Sequence, residues 1–315
     1  MEGPIRRHRG HHHPVLAQTS ARETWQTFQT PSLLCAEFHL PRKPGCAMPL
    51  GMRLVTWNIN SLRLRLPVLE KLDATLAPDI ICLQETKVPD PLFPADALRN
   101  MGFEHLHYKG MKSYNGVAIL SRHPITPLEK LPDWHGREDC RHIGAQVHLP
   151  SGPVELHDFY VPAGGDIPDP ETNPKFAHKL AFVEEVTEWF TTRKRDRTVL
   201  VGDFNIAPLE HDVWSHKQLL NVVSHTPPET ERLNAWLNVG FVDAMRHFVP
   251  ASEKLYTWWS YRNRDWKKSN RGRRLDHVWI TPDLVPDLTG MTVVREARDW
   301  DTPSDHVPVI VDFSL

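Results

Sequence analysis

The sequence predicts an α/β protein in which two packed sheets carry helices on their outer sides. Three observations lead there. Short apolar runs recur along the chain, in Leu54–Ile59, "DIICLQET", "GVAILS", "HIGAQVHL" and "TVLVGDFN", and runs of that length and β-branched content suit covered strands. Some of these strands are separated by helical spacing and others by turns alone. No internal repeat is evident. A simple doubly wound sheet would alternate strand and helix throughout, so two sheets with helices outside fit better.

Each element follows from its own pattern. Leu54–Ile59 reads as the first strand. Pro67 suits the first turn of a helix, and Leu69, Leu72 and Leu76 follow at helical spacing. "GVAILS", "HIGAQVHL" and "VELHDFYVP" then read as strands with little helix between them. Phe176, Leu180, Val183, Val186 and Phe190 step by four and three, which predicts a helix with one apolar stripe. After "TVLVGDFN" come a helical stretch near 230–239 and the strands "YTWWSY", "RLDHVWIT", "MTVVREAR" and "HVPVIVDF". The total is roughly ten strands.

A chain of 315 residues can bury a sizeable core. Its 40% hydrophobic and 24% charged residues are ordinary for a globular protein. No apolar run approaches the roughly 20 residues of a membrane-spanning helix. The four cysteines (Cys35, Cys46, Cys82, Cys140) lack C-x-x-C spacing and suit a reducing, cytoplasmic setting. Net charge is −2, so any surface for a polyanion must be local. Residues 1–51 have a different character, basic and His-rich at "MEGPIRRHRGHHHP", then rich in Pro and Gly. The expectation there is a disordered extension, with Met48 or Met52 as an alternative start, ahead of a single domain over 52–315.

Polar residues gather at strand ends. In "TVLVGDFNIAP", Asp203 and Asn205 stand two apart on one face of an extended chain. Asn58 and Asn60 repeat the spacing at the end of the first strand. Glu85 closes "DIICLQE", Tyr160 closes "VELHDFY", Asp276 and His277 interrupt "RRLDHVWIT", and Asp305 and His306 open the last strand. Singly, each is an ordinary cap or turn residue. Together they describe sheet ends converging on one pocket. The sequence has no Gly-rich phosphate loop, no G-x-S-x-G and no H-E-x-x-H. Carboxylates with amides, a phenol and an imidazole suit a hard cation such as Mg²⁺ and metal-assisted phosphodiester hydrolysis.

Seven segments, "WNINSLRLR", "DIICLQETKVPD", "YNGVAILSR", "FYVPAGGD", "VGDFNIAP", "RLDHVWI" and "PSDHVPV", occur in this order from Met52 onward. Together they resemble the bacterial exodeoxyribonuclease III and abasic-site endonuclease branch of the exonuclease–endonuclease–phosphatase superfamily. The resemblance implies a four-layer α/β/β/α sandwich, a Mg²⁺-dependent site (with Mn²⁺ as a substitute) and double-stranded DNA as substrate, acted on by a monomer away from membranes. It implies Glu85 as principal metal ligand, with Asn60 and Asp305 beside it and Asp203 and Asn205 within reach. His306 then contacts the scissile phosphate and Asp276 orients it. Asp203 activates water or handles the leaving-group proton, Asn205 and Asn58 fix that carboxylate and the phosphate, and Tyr160 binds phosphate. Two positions depart from the family pattern. Ala163 stands where relatives carry an amide three residues after the tyrosine. In the abasic-sugar pocket, Trp258 and Leu275 match apolar walls, but Arg273 stands where a third would be expected.

The segment 254–274, "KLYTWWSYRNRDWKKSNRGRR", holds eight Lys or Arg, Arg271 and Arg273 among them, against one Asp, with five aromatics interleaved. Such a segment can neutralise phosphates and stack on bases, or it can be a solvated hairpin whose alternate aromatics face the core. The expected activity is DNA-repair hydrolysis at abasic sites or duplex 3′ ends. The alternatives are a same-fold phosphodiesterase with a non-DNA substrate, a phosphoinositide, a sphingolipid or poly(A), and a DNA-binding relative without catalysis.

Overall fold

The computed structural model describes Met1 and residues 51–315. The expected extension over residues 1–51, with Cys35 and Cys46, falls outside that description but for its two end residues. In chain order the strands are β1 (Met52–Asn58), β2 (Ile80–Gln84), β3 (His105–Lys109), β4 (Val117–Ser121), β5 (Ile125–Pro127), β6 (His142–Leu149) and β7 (Gly152–Tyr160). They continue with β8 (Thr198–Asp203), β9 (Val242–Asp243), β10 (Trp258–Trp259), β11 (Gly272–Arg273), β12 (Asp276–Ile280), β13 (Leu288–Val293) and β14 (Val309–Phe313). The helices are α1 (Leu66–Leu76), α2 (Ala95–Asn100), α3 (Pro174–Thr191), α4 (His216–Leu219), α5 (Pro227–Leu237), α6 (Ala244–Phe248) and α7 (Trp266–Ser269).

Two six-stranded sheets result, ordered β13-β14-β1-β2-β4-β3 and β5-β6-β7-β8-β12-β9, with β10 and β11 as a separate ribbon. Alternation along each strand divides the core into layers. Leu54, Ile80, Cys82, Val117 and Ile119 of the first sheet meet Ile143, Leu156, Val199, Val201 and Val278 of the second between the sheets. The alternate residues Val55, Trp57, Ile81, Leu83 and Ala118 face outward onto Leu69, Leu72 and Leu76 of α1. On the other sheet Phe159, Leu200 and Trp279 face Val183, Val186 and Phe190 of α3 and Trp236 of α5. The layers are therefore helix, sheet, sheet, helix, as the resemblance implied.

Two readings of the sequence need correction. The stretch "YTWWSY" is not a full strand: only Trp258 and Trp259 pair, with Arg273 and Gly272. Tyr256, Trp259 and Trp266 are buried in the outer core beside α1, so their β-type composition reflects packing under a loop. Asp305 and His306 lie before β14, and His306 makes only an isolated bridge to Trp258. The fourteen strands among the described residues exceed the expected ten because β3, β5, β9 and β11 carry few or no fully buried residues and leave no apolar run to read.

Strand register places the polar ends. Tyr160 pairs with Asp203 across the parallel β7–β8 ladder, and Asp203 pairs with Asp276 across the antiparallel β8–β12 ladder. Three residues far apart in sequence thus stand side by side. In the first sheet Asn58 pairs with Gln84, which brings Glu85 next to it. Gly202 makes the β7–β8 approach possible. A Cβ there would lie 1.9 Å from the Phe159 carbonyl oxygen, and its φ is +136°.

Candidate active site

The ends of both sheets open on one cleft of about 990 Å³, lined at one end by Glu85, Tyr160, Asn205, Asp305 and His306. The first sheet and its loops supply Asn58, Asn60, Glu85, Asp305 and His306. The second supplies Tyr160, Asp203, Asn205 and Asp276. Asn60, Glu85 and Asn205 have φ of 49°, 52° and 53°, a left-handed conformation that non-glycine residues adopt at a cost. Such strain persists only where surrounding contacts over-determine the backbone.

Those contacts are hydrogen bonds among the site residues themselves. The buried Asn58 amide donates to Glu85 Oε1 at 2.8 Å and to Asp203 Oδ2 at 2.9 Å, tying the two sheets together. Asn205 donates its backbone N–H to Asp203 Oδ1 at 2.9 Å and its side-chain amide to Oδ2 at 3.1 Å. Asn60 donates to Asp305 Oδ1 at 3.1 Å, and Trp258 Nε1 donates to Asp305 Oδ2 at 2.9 Å. His306 Nδ1 is 2.9 Å from Asp276 Oδ2, while its Nε2 is 3.6 Å from Asp203 Oδ2. His277, beside Asp276 in sequence, points to the opposite face, stacks on Phe204 and bonds to the Ile206 carbonyl.

Burial and neighbours set the protonation of this network. Burial alone would lower the His306 pKa, but the carboxylates of Asp276 and Asp203 outweigh it and hold the imidazolium well above the usual range. Burial raises the Asp203 carboxyl, with Asp276 and Glu85 adding to the effect and His306 opposing it. Desolvation, then Glu85 and Asp203, pushes the Tyr160 phenol far up, so it stays a neutral donor. Burial raises Glu85, but Lys87, Asn58 and His306 more than reverse it.

Two polar partners escaped the sequence reading. Lys87 Nζ sits 2.7 Å from Glu85 Oε2 and 2.6 Å from Asn60 Oδ1. Its only signal is its place in "QETK", two residues past Glu85. Arg141 lies 4.8 Å over the Tyr160 ring and donates to the Tyr160 carbonyl at 3.3 Å, with no motif to mark it. Running on along the cleft from Asp305, the residues Trp258, Leu275, Arg271 and Arg273 are brought together as expected, joined by Trp214, Leu219 and Val223. Arg273 donates through Nη1 to the Val223 carbonyl at 2.9 Å and to Ser224 Oγ at 2.6 Å, and stands 5.4 Å over the Trp258 ring. Arg271 stacks on Trp214.

The donors suit a divalent metal at Glu85. Oxygens of Glu85, Asn60 and Asp305 are grouped by Lys87 and by the Asn60–Asp305 bond, and the Lys87 ammonium already lies between two of them. Asp203, Asp276 and His306 also bring ligand atoms within 4.8 Å of one another. That trio is more heavily engaged within the protein: Asp276 Oδ2 lies 2.9 Å from His306 Nδ1, and Asp203 accepts from Asn58 and from Asn205 twice.

Residues 55–306 match the sequence profile described as the Endonuclease/Exonuclease/phosphatase family. The chain belongs to that family. It is an enzyme of the hydrolytic kind the description names, as its curated relatives indicate. It is 28% identical over 271 residues to exodeoxyribonuclease III of Haemophilus influenzae, covering 83% of this chain and 100% of that one. Among solved structures, the 3′ phosphatase NExo from Neisseria, bound to a product DNA hairpin, is 34% identical with a TM-score of 0.75, covering 83% of this chain and 99% of that one. An AP endonuclease from Archaeoglobus fulgidus is 30% identical with a TM-score of 0.77, covering 84% and 100%. The two solved structures share the two-sheet sandwich described above.

Proposed function

We propose that the chain is a divalent-cation-dependent DNA repair nuclease, hydrolysing phosphodiesters at abasic sites or at duplex 3′ ends. The observation that carries this reading is the cleft onto which Glu85, Asn205 and His306 open, with Asp276, Asp203 and Asn58 buried directly behind them, and the cationic and aromatic wall of Trp258, Arg271 and Arg273 beside it. Residues 52–315 would form the nuclease domain, acting as a monomer in the cytoplasm.

Glu85, with Asn60 and Asp305, would hold the metal, Mg²⁺ by the preference of an all-oxygen set, with Mn²⁺ as a substitute. When bound it supplies Lewis-acid polarisation of the phosphoryl oxygen and stabilises charge on the leaving oxygen. The chain's own groups do the rest. The His306 imidazolium donates from Nε2 toward a phosphate oxygen, its Nδ1–H held by Asp276. Tyr160 Oη provides a further neutral donor to the same phosphate, while both N–H groups of the Asn205 amide are taken by the Val161 carbonyl and Asp203 Oδ2. Asp203, its carboxyl raised toward neutrality, can take a proton from the attacking water or return one to the leaving oxygen. Asn58 and Asn205 fix the direction in which that carboxylate points.

The Arg273 guanidinium, clamped to Val223 and Ser224 beside Trp258, favours 3′-end processing over abasic-site incision, because it occupies wall space that an extruded sugar would need. A 3′-labelled duplex carrying one abasic site, incubated with and without Mg²⁺, tests the whole reading. Metal-dependent incision or 3′-end release is expected. An intact duplex under all conditions would overturn it.

A further inference from the structure

Behind the cleft lies a charged pair that the chemistry above does not use. Lys179 of α3 and Glu229 of α5 are both fully buried, with Nζ 2.5 Å from Oε1. The periodicity of α3 gives no reason for a cation there, since Phe176, Leu180 and Val183 on the same side are core residues. An ammonium has three donors, and here each has an acceptor. Besides Glu229, Nζ donates to the Asn205 carbonyl at 2.8 Å and to the Ala163 carbonyl at 3.3 Å. Those carbonyls belong to the loops that follow Asp203 and Tyr160.

Glu229 is equally committed on its other side. Its carboxylate accepts the Ser224 N–H at 2.9 Å, the Thr226 N–H at 3.1 Å and the Thr226 hydroxyl at 2.7 Å. Ser224 has φ +87°, strained for a residue with a side chain. Its hydroxyl receives Arg273 Nη1, and its carbonyl receives the Ala207 N–H at 2.7 Å.

We infer that the Lys179–Glu229 pair is a positioning element that locks the Asn205 loop and the Arg273 wall of the cleft in one fixed relation. The bonds of Glu229 to Thr226 are the capping box of α5 and would be there without Lys179. What capping does not explain is that Lys179 gives its other two donors to the Asn205 and Ala163 carbonyls, that Glu229 also takes the Ser224 N–H, and that strained Asn205 and Ser224 thus each bond directly to one member of the pair. A buried ion pair is a poor source of net stability compared with apolar packing, so its hold on the loops is the better account of its presence. Phosphate and pocket are thereby set at a constant spacing, as near-attack geometry requires.

The inference rests on the proposed nuclease activity, and its test keeps the two separable. The parent, Lys179→Met, Glu229→Gln and the double variant are compared on a duplex with one abasic site and on a duplex with an intact 3′ end, at saturating Mg²⁺. Removing both charges together leaves neither unpaired, so the double variant should melt close to the parent while the single Lys179→Met melts lower. The double variant should lose at least tenfold in kcat on whichever substrate the parent cleaves. Its Kd for duplex, measured without metal, should stay within twofold. Amide exchange at Asn205 and Ser224 should accelerate. A double variant with parental kcat and parental exchange would overturn the inference. Should the double variant not fold, Glu229→Gln, which keeps an acceptor for Ser224 and Thr226, carries the comparison: a kcat loss at unchanged Kd supports the inference and parental kcat overturns it. If the parent cleaves neither duplex, the activity proposal fails. Exchange at Asn205 and Ser224 then decides the positioning role, faster exchange in the variants supporting it and unchanged exchange overturning it.

Discussion

His306 stands between two carboxylates that different strands deliver to it, Asp276 at 2.9 Å from Nδ1 and Asp203 at 3.6 Å from Nε2. With both nitrogens protonated, the ring can donate toward a phosphate over the whole neutral range. His306→Gln should lower kcat by about 10²- to 10⁴-fold, the usual contribution of a positioned acid–base group, with the circular dichroism of the parent. Wild-type turnover in that variant would remove the imidazole from the chemistry.

The same pair makes a pH signature. The folded-state pKa of His306 is raised to about 10, above its unfolded value, so its stabilising contribution is complete below about 6.5 and is lost as pH rises toward 10. In EDTA, the ring resonances of His306 should titrate far above those of the buried His277, which burial and Arg274 hold down at about 3. Asp276→Asn should bring the His306 midpoint down toward neutrality. An unshifted midpoint would mean that Asp276 does not hold the proton.

At the metal-facing end, Glu85→Gln should raise the Mg²⁺ concentration needed for half-maximal rate by tenfold or more. Lys87→Met should act in the opposite sense on binding. Its ammonium occupies Glu85 Oε2 and Asn60 Oδ1, so removing it frees both oxygens and should tighten Mn²⁺ binding to the free protein several-fold by calorimetry. Unchanged titrations in both variants would move the metal elsewhere.

Substrate choice should respond to the far wall. Trp258→Ala should lower both activities through the freed Asp305 carboxylate, and should lower incision at an abasic site further, because an aromatic wall serves only the extruded sugar. Arg273→Leu should shift the ratio of the two rates toward the abasic site. Equal ratios in parent and both variants would sink the pocket assignment.

Gly202→Ala should cost at least about 3 kcal/mol in urea denaturation, from the positive φ together with the approach to Phe159. Gly152→Ala is the control. It shares a positive φ of +109°, but its nearest neighbour is the Arg197 side chain at 4.0 Å, so it should cost about 1 kcal/mol. Similar losses at both would show that strain, not the inter-strand contact, dominates.

What could be read in advance followed the physics that leaves a local trace. Covered strands such as β2 and β8 show as apolar runs, and α3 as a stripe. Asp203 and Asn205 are legible as a polar pair closing an apolar run, but not as the shared extended face expected: β8 ends at Asp203, and Asn205 turns back onto it from a left-handed conformation. The pairing of Asp203 with Asp276 depends on which strands become neighbours, and no local pattern encodes a register between β8 and β12. Lys179 and Glu229 stayed hidden because a lone Lys or Glu on a helix ordinarily faces water. Trp259 and Tyr256 misled for the opposite reason, since large aromatics under a loop have the composition of a strand.

The order of the chain gives this architecture a temporal property. Asp305 and His306 are the last cleft residues to be synthesised, and the strand after them is no edge strand: β14 inserts between β13 and β1. A growing polypeptide can pair β7 with β8 and β12 while β1 still waits for its antiparallel neighbour. During that interval Glu85, Tyr160 and Asp203 exist, but no imidazole stands among them. On the proposed mechanism, a product ending before Asp305 should show no hydrolysis, because it lacks the imidazole that the phosphate would meet. On that mechanism, competence to cut waits for the residues that complete the sheet.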